Sequence, residues 1–319
     1  MASFSSATIN PSRLRSGGLA LFDTHCHLDL PQLAPQQQEH WQQAQQAGVR
    51  ALLIPAVSAA AWPDLLQLRA TEPAWQIALG IHPWWAAQHS LQQVTQLADL
   101  LEQHRGQVAA VGEIGLDFAL DSDTFELQQQ LFSAQLTLAN RLDLPVILHH
   151  RKSQVQLLAE LKRQRFAAGG ILHAFSGSYA QGMAFIEQGF KLGIGGTITY
   201  ERAEKTRKAV SKLPLAALVL ETDAPAMPLS GFQGQINTPA QLLRVFAALC
   251  SLRSEPAAVI ASQLWQNSLA ALKLQGCGRL AWLRPCFLRE TCSVCEQELD
   301  GLKRLALLER GQNFWWQRR

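Results

Sequence analysis

The sequence predicts an α/β protein with the (β/α)₈ barrel fold. Two observations predict it: eight short apolar runs alternate with amphipathic segments of helical length, and side chains that can bind metal follow most of the runs. Nearly continuous apolar strands joined by helical crossovers indicate a parallel sheet covered on both faces. Eight such units over about 250 residues fit a barrel.

The apolar runs are the predicted strands, and they occupy residues 19–23, 49–57, 76–81, 108–113, 146–149, 171–175, 190–194 and 218–221. The segments between them are the predicted helices. In residues 124–141, for example, Phe125, Leu131 and Leu138 belong to an apolar set at mostly helical spacing. An open doubly wound sheet would have the same local pattern, so the polar residues must decide between the two folds.

Chemically capable side chains stand at the ends of six runs. They are His25 and His27 after the first, His82 after the third, Glu113 at the end of the fourth, His149 at the fifth, His173 in the sixth, and Glu221 and Asp223 at the eighth. The second run offers none, and the seventh ends in glycines (Gly193, Gly195, Gly196), which would let a ligand approach the backbone. All eight carboxyl ends ring one mouth in a barrel, whereas an open sheet would scatter them, so we favour the barrel.

These residue types indicate a metal site. His25 and His27 stand two apart on a strand, so their rings point to one face, and a carboxylate such as Glu113 is costly to bury unless it is paired or metal-bound. The two oxygens of a carboxylate can bridge two cations. Each histidine alone could be a satisfied core residue, but four histidines with Glu113 and Asp223 at one end of the strands form the ligand set of a two-metal site.

Five segments resemble the TatD family of metal-dependent hydrolases and deoxyribonucleases: Phe-Asp-Thr-His-Cys-His at 22–27, Gly-Ile-His-Pro at 80–83, Val-Gly-Glu-Ile-Gly-Leu-Asp at 111–117, His-Ala-Phe-Ser-Gly-Ser at 173–178 and Leu-Glu-Thr-Asp-Ala-Pro at 220–225. Residues 195–200 and 231–235 resemble its YjjV-like subgroup. The match covers residues 19–273.

The resemblance implies a distorted TIM barrel of the amidohydrolase type that holds two divalent cations. It places one metal on His25, His27, Glu113 and Asp223, and the other on Glu113, His149 and His173, with Glu113 bridging and Asp223 as the general base. The expected reaction is ester hydrolysis by a metal-activated water, with DNA or another phosphodiester as substrate. Zn, Mn, Co, Ni and Mg all suit such ligands, so the metal is left open.

The residues next to these motifs are further candidates. Arg151 matches the family's His-x-Arg and is predicted to clamp a substrate phosphate; the alternative is that it forms a surface ion pair. Lys152 stands where the family commonly has an acid. His82 is predicted to contact substrate rather than metal; the alternative is that it packs its loop. Glu221 is expected to hold a histidine tautomer. His150 should face away from the barrel interior.

Three other functions stay open from the sequence. The chain could hydrolyse another ester, such as aminoacyl-tRNA. It could hydrolyse a cyclic amide or phosphotriester, although those relatives usually bridge their metals with a carboxylated lysine and here the fourth strand carries Glu113. It could also bind metal or ligand without turnover, although no predicted site residue looks replaced by one unable to serve the reaction.

The two ends of the chain are expected to lie outside the barrel, as a flexible leader (residues 1–18) and a basic appendage (residues 274–319). The appendage holds Cys277, Cys286, Cys292 and Cys295, for which reduced thiols are the preferred reading and a structural zinc the alternative. No apolar stretch reaches the roughly 18 residues of a membrane span. A cytoplasmic protein without a membrane or an obligate protein partner is therefore predicted.

The net charge of +3 comes from 28 basic and 25 acidic residues. Residues 1–273 hold 20 of each, and residues 274–319 hold the remaining 8 basic and 5 acidic ones. We therefore expect the barrel to bind a polyanion through its metals with Arg151 and Lys152, and any nonspecific affinity for nucleic acid to lie in the appendage.

Overall fold

A computed structural model describes residues 19–274, and their eight parallel strands form a closed barrel in chain order. The strands are β1 (Leu21–Asp23), β2 (Val49–Pro55), β3 (Trp75–Leu79), β4 (Ala110–Asp117), β5 (Val146–Arg151), β6 (Gly170–Leu172), β7 (Phe190–Ile194) and β8 (Leu218–Leu220). This architecture confirms the predicted fold class, and each strand overlaps one predicted run.

The helices of the described residues lie between the strands and after the last one. They are α1 (Gln37–Gln46), α2 (Trp62–Thr71), α3 (Leu91–Gln103), α4 (Phe125–Leu142), α5 (Gln154–Arg163), α6 (Tyr179–Ile186), α7 (Glu204–Val210), α8 (Leu242–Leu252) and α9 (Ala257–Ala271). The apolar stripe predicted for residues 124–141 becomes the buried face of α4, which includes Leu131, Phe132 and Leu136.

Strand β4 is longer at its carboxyl end than the sequence predicts. It continues past Glu113 and pairs with β5 as far as Asp117 opposite Arg151. By contrast, β6 and β8 end at Leu172 and Leu220, so the polar residues that follow them stand on loops rather than in strands. The extra length of β4 brings the Asp117 carboxylate to the same end of the barrel as Glu113.

The barrel closes between β1 and β8 through backbone and side-chain bonds. Asp23 pairs with Leu220, and Thr24 donates to the Leu220 carbonyl from both its N–H, at 2.9 Å, and its hydroxyl, at 2.8 Å. Beyond the strands, Asp223 N–H donates to the His25 carbonyl at 2.8 Å. Closure therefore fixes the first predicted ligand pair against the last predicted ligand.

No single helix among residues 19–274 is long and apolar enough to cross a membrane, and one pair that passes the test jointly, Pro239–Leu252 with Ala257–Ala271, is bent by 119°. The described chain ends at Leu274, which is buried against Trp265 and Leu269 in the core. The predicted leader and the cysteine cluster of the predicted appendage lie outside the described residues.

Candidate metal centre

Four predicted ligands converge at one point inside the barrel mouth. The Nε2 atoms of His25 and His27 are 3.1 Å apart, and Glu113 Oε2 lies 3.1 Å and 3.6 Å from them. Asp223 Oδ1 is 3.7 Å from both nitrogens. A tetrahedral ion with ligand bonds of about 2.0 to 2.2 Å separates its ligands by about 3.3 to 3.6 Å. These four atoms therefore fit one divalent cation.

A second group of donors surrounds the other oxygen of Glu113. His149 Nδ1 lies 3.0 Å from Glu113 Oε1, and His173 Nε2 lies 3.8 Å from the same oxygen. Asp223 Oδ2 is 4.0 Å from His173 Nε2. The two oxygens of Glu113 thus face different nitrogen pairs, which is the arrangement that a bridging carboxylate requires.

The strand alternation explains how β1 and its continuation supply two ligands. Cys26 lies between the two histidines, is fully buried, and forms a single parallel bridge with Ala224. Its N–H donates to the Leu53 carbonyl of β2 at 3.0 Å, while the two histidine rings turn toward Glu113. Extended backbone on both sides of Cys26 therefore aims His25 and His27 at the same place.

Two histidines have an oxygen beside Nδ1 and turn Nε2 toward the other predicted ligands. His27 Nδ1 lies 3.2 Å from the Pro55 carbonyl, which can only accept, so the ring carries its proton on Nδ1. His173 Nδ1 lies 3.2 Å from Glu221 Oε1. The first contact is of the kind that holds a metal-ligating imidazole in one tautomer. The second places Glu221 beside the ring, and its holding of the His173 tautomer stays a prediction.

His82 has the opposite arrangement. Its Nδ1 accepts a hydrogen bond from Trp84 N–H at 3.1 Å, so the neutral ring carries its proton on Nε2, which points to Glu113 Oε1 at 3.5 Å. By distance alone, His82, Glu113 and His149 could form a metal site. The tautomer argues against His82 as a ligand, because a protonated Nε2 donates to oxygen instead of binding a cation.

Glu221 occupies the space that the sequence assigned to a ligand beside the seventh strand. A Cβ added to Gly193 would stand 2.0 Å from Glu221 Oε2, whereas one added to Gly195 would meet the same side chain only at 3.5 Å or more. Ala174 N–H donates to Glu221 Oε1 at 2.5 Å. The glycine at 193 thus makes room for the Glu221 carboxylate beside His173, and a close approach of a ligand to Gly195 and Gly196 stays a prediction.

Asp117 belongs to the site, although the sequence analysis did not single it out. Its Oδ2 lies 3.1 Å from His149 Nε2 and accepts a hydrogen bond from Trp84 Nε1 at 2.6 Å. Burial would raise the pKa of this carboxyl, but the hydrogen bonds from His149 and Trp84 lower it to about 2. The ionised carboxylate holds the His149 proton on Nε2 and leaves Nδ1 for Glu113 and a cation. The sequence signal that could have identified Asp117 is its place at the end of the motif at 111–117.

Asp23 is a second buried carboxyl that sequence reasoning passed over. It is fully buried, and its oxygens accept from Thr222 N–H at 3.0 Å and from the Thr222 hydroxyl at 2.6 Å. Burial raises its pKa to about 8. Because Asp23 stands on β1 and Thr222 lies next to Asp223, this contact holds two parts of the site together.

The charges of the central residues depend on one another. Burial would raise the pKa of Glu113, but His82, His25 and His173 outweigh it and hold the value well below the usual range. Burial would lower the pKa of His173, but the carboxylates of Glu221, Asp223 and Glu113 raise it to about 10. Burial raises the pKa of Asp223 to about 7, against the pull of His173. The carboxylates and histidines of the site thus determine one another's charge.

The other predicted binding residues stand at the rim. The Arg151 side chain is 57% exposed, and its guanidinium reaches to 3.9 Å from Asp117 Oδ2. The neighbouring Lys152 is exposed and has φ +55°. His150 is partly buried, and its Nδ1 lies 3.3 Å from Gln154 Nε2. The structure brings Arg151 to the mouth, and its binding of substrate stays a prediction.

Comparison with known proteins shows which family the chain is similar to. The profile of the family described as TatD related DNase matches residues 22–273. A protein named uncharacterized metal-dependent hydrolase YjjV, from Escherichia coli K12, is 49% identical over 246 residues, covering 77% of this chain and 95% of that protein. Its crystal structure superposes with a TM-score of 0.76 and covers 79% of this chain and 97% of that one. The 3'-5' ssDNA/RNA exonuclease TatD of Pantoea vagans is 30% identical over 262 residues, 80% of this chain and 100% of the relative.

Proposed function

Because the chain belongs to the TatD related DNase family, whose relatives are metal-dependent hydrolases, we propose that it cleaves phosphodiester bonds in single-stranded nucleic acid. The observation that carries the proposal is the division of the Glu113 oxygens between two sets of donors. A carboxylate shared in this way supports two cations side by side, as in-line phosphoryl transfer uses them.

The proposed ligands are those the sequence predicts: His25, His27, Glu113 and Asp223 for one cation, and Glu113, His149 and His173 for the other. Their histidine nitrogens and carboxylate oxygens suit Zn, Mn, Co and Ni, and carboxylates with a phosphate substrate also admit Mg. When bound, such cations would polarise the phosphate and make water a better nucleophile at neutral pH.

The residues of the chain then have separate tasks. Asp223 takes a proton from the attacking water, since its two oxygens face both sets of donors, Oδ1 at 3.7 Å from His27 Nε2 and Oδ2 at 4.0 Å from His173 Nε2. His82 donates from Nε2 to a substrate oxygen. Arg151, exposed at the rim, pairs with a phosphate through two parallel N–H groups.

The mouth also offers a surface for a base. Trp84 is 58% exposed, yet its indole N–H is fixed by the 2.6 Å bond to Asp117. An exposed aromatic ring held rigidly beside the reaction site is suited to stack on an unpaired base, and stacking is tolerant of sequence. This supports a single strand, whose bases are free, over a duplex.

Purified protein loaded with divalent cation should release nucleotides from single-stranded DNA, and a chelator should stop the reaction. Offering the same preparation DNA with blocked 3' ends and charged tRNA separates exonuclease, endonuclease and deacylase. Cleavage of charged tRNA alone would overturn the proposal.

Glu113→Ala tests the bridging role. We expect it to abolish cleavage and to lower the metal content below two ions per chain. Asp123→Ala removes an exposed carboxylate that follows the same strand, and should retain activity and metal. Full activity of Glu113→Ala with both ions bound would contradict the assignment.

A further inference from the structure

The balanced charge of the barrel hides a separation of charge around its circumference. Residues 146–212, which run from β5 through α7, carry eleven basic and four acidic side chains. The other described residues, 19–145 and 213–274, carry seven basic and sixteen acidic ones. Three consecutive strand and helix units of the closed barrel therefore form a basic flank, and the opposite side is acidic.

A groove of about 530 Å³ lies in this basic flank, between the start of α6 and the side of α7. It is lined by Ser178, Tyr179, Lys205, Lys208, Ala209 and Lys212. The three lysines are three and four residues apart, so they stand on one side of α7 and its continuation, and all are exposed. No acidic side chain of residues 19–274 forms an ion pair with any of them.

Unlike these lysines, the neighbouring arginines have partners within the protein. Arg207 donates to the Ile198 carbonyl, and the Arg202 guanidinium lies 4.9 Å from the centre of the Tyr200 ring. The acidic residues nearest in sequence are Glu201, which precedes α7, and Glu204, which begins it, and no ion pair joins either of them to the three lysines within residues 19–274. The lysines are thus the cations that remain free for a ligand in the groove.

The groove begins near the end of the loop that carries His173 of the candidate metal centre. Ser178 begins α6 and lies five residues after His173, on the loop that leaves β6. In a barrel both α6 and α7 begin at the mouth, because each follows the carboxyl end of a strand. The mouth-side end of the groove is therefore at Tyr179 and Lys205, the first residues of α6 and α7 that line it.

We propose that this groove, lined by Lys205, Lys208, Lys212 and Tyr179, binds the part of a single-stranded nucleic acid that extends from the cleaved end. The lysines would pair with phosphates, and Tyr179, which is 46% exposed, would stack on a base. A positive track with an interleaved aromatic ring is how proteins bind single strands without reading sequence. The inference rests on the proposed nuclease function and adds the path of the strand.

The test compares the triple variant Lys205→Gln/Lys208→Gln/Lys212→Gln with a matched triple, Arg105→Gln/Lys162→Gln/Arg165→Asn. The control removes the same charge from exposed residues after α3 and at the end of α5, at the opposite end of the barrel from the mouth. Asn suits the φ of +51° at residue 165. Circular dichroism and melting temperature establish that both variants fold.

The loss of three phosphate contacts in the lysine variant should change the salt dependence of binding. Each contact to a single strand contributes about 0.7 to the slope of log affinity against log salt, so the lysine variant should lose about 2 from that slope. At about 0.1 M salt its KM for a long oligonucleotide should rise on the order of ten- to a hundredfold, with kcat and the KM for a dinucleotide unchanged. Tyr179→Leu should weaken binding without changing the slope.

Fluorescence anisotropy of a labelled oligonucleotide in chelator measures the groove apart from catalysis. Wild-type slope and KM in the lysine variant, or an equal effect in the control triple, would overturn the groove while leaving the nuclease proposal intact. If wild-type protein cleaves no oligonucleotide but still binds one through the lysines, the proposed function fails and the groove stands.

Discussion

Three carboxylates hold a proton on His173, and a bound cation would replace that proton. In the metal-free site, Glu221, Asp223 and Glu113 raise the pKa of His173 to about 10 against the effect of burial, so the ring is charged at neutral pH. His27, by contrast, has its pKa lowered by burial to about 4 and is neutral. Metal binding must therefore displace a proton from His173 but not from His27.

This difference predicts a pH dependence for metal loading. Each chain should release protons when it binds the cation, and the number should increase as the pH falls from about 8 to about 6, because Asp223 with a pKa of about 7 becomes protonated as well. Affinity for the cation should fall over the same range, since more protons compete with it.

Titration of weakly buffered protein with a divalent cation in a pH-stat measures this release. Glu221→Gln should reduce the release near the upper end of the range, because it removes the first carboxylate that raises the pKa of His173. Loading that releases no proton at neutral pH would refute the charged state of His173.

At this scale the sequence predicted donor types and positions but not their partners. His25, His27, Glu113 and Asp223 follow from their places at strand ends, since the barrel brings those ends together. The Pro55 carbonyl that orients His27 and the Trp84 N–H that orients His82 are backbone groups, which carry no residue-type signal. Asp117 was missed because the predicted fourth run stopped at Glu113.

The β7 strand shows how an element shapes the site without contributing a ligand. Gly193 has no side chain, and Glu221 from the neighbouring β8 end fills the place of its missing Cβ. Sequence reasoning predicted both the strand and the glycines, but it could not tell whether a ligand or a carboxylate would use the space, because that depends on the side-chain direction of the next strand.

We therefore expect Gly193→Ala to displace Glu221 and to release His173 from its contact. The variant should lose metal affinity and activity by about 10- to 100-fold, the usual cost of removing a residue that orients a ligand. Gly195→Ala is the matched control, because its Cβ would meet Glu221 only at ordinary contact distance, and φ there is −111°. Measuring metal content and kcat of the two variants tests this role of Glu221. Equal activity of both would show that Glu221 does not position His173.

On the scale of the whole molecule, the totals of charge were known from the sequence, but their distribution around the barrel was not. Residues 1–273 hold equal numbers of basic and acidic residues, which suggested a barrel without a basic surface. Chain order becomes angular position only once the barrel closes strand by strand. The run from β5 to α7 then becomes one flank, which carries eleven basic and four acidic residues.

The core of the barrel extends to the last described residue, and this defines the truncation that tests the appendage. Leu274 is 3% exposed and its N–H donates to the Leu269 carbonyl at 2.8 Å. A chain that ends after Leu274 should fold and retain its catalytic activity if the following residues are peripheral. Its affinity for single strands should also persist, because the proposed groove lies within the retained residues.

The matched comparison is Leu274→Ala in the same truncated chain. Removing this buried side chain should lower the free energy of unfolding by about 2 kcal/mol or more, because it packs with Trp265 and Leu269. Urea denaturation and cleavage assays on both chains separate the effects. If truncation after Leu274 by itself abolishes folding, the barrel depends on the following segment; if it abolishes only oligonucleotide binding, the appendage rather than the lysine groove holds the strand.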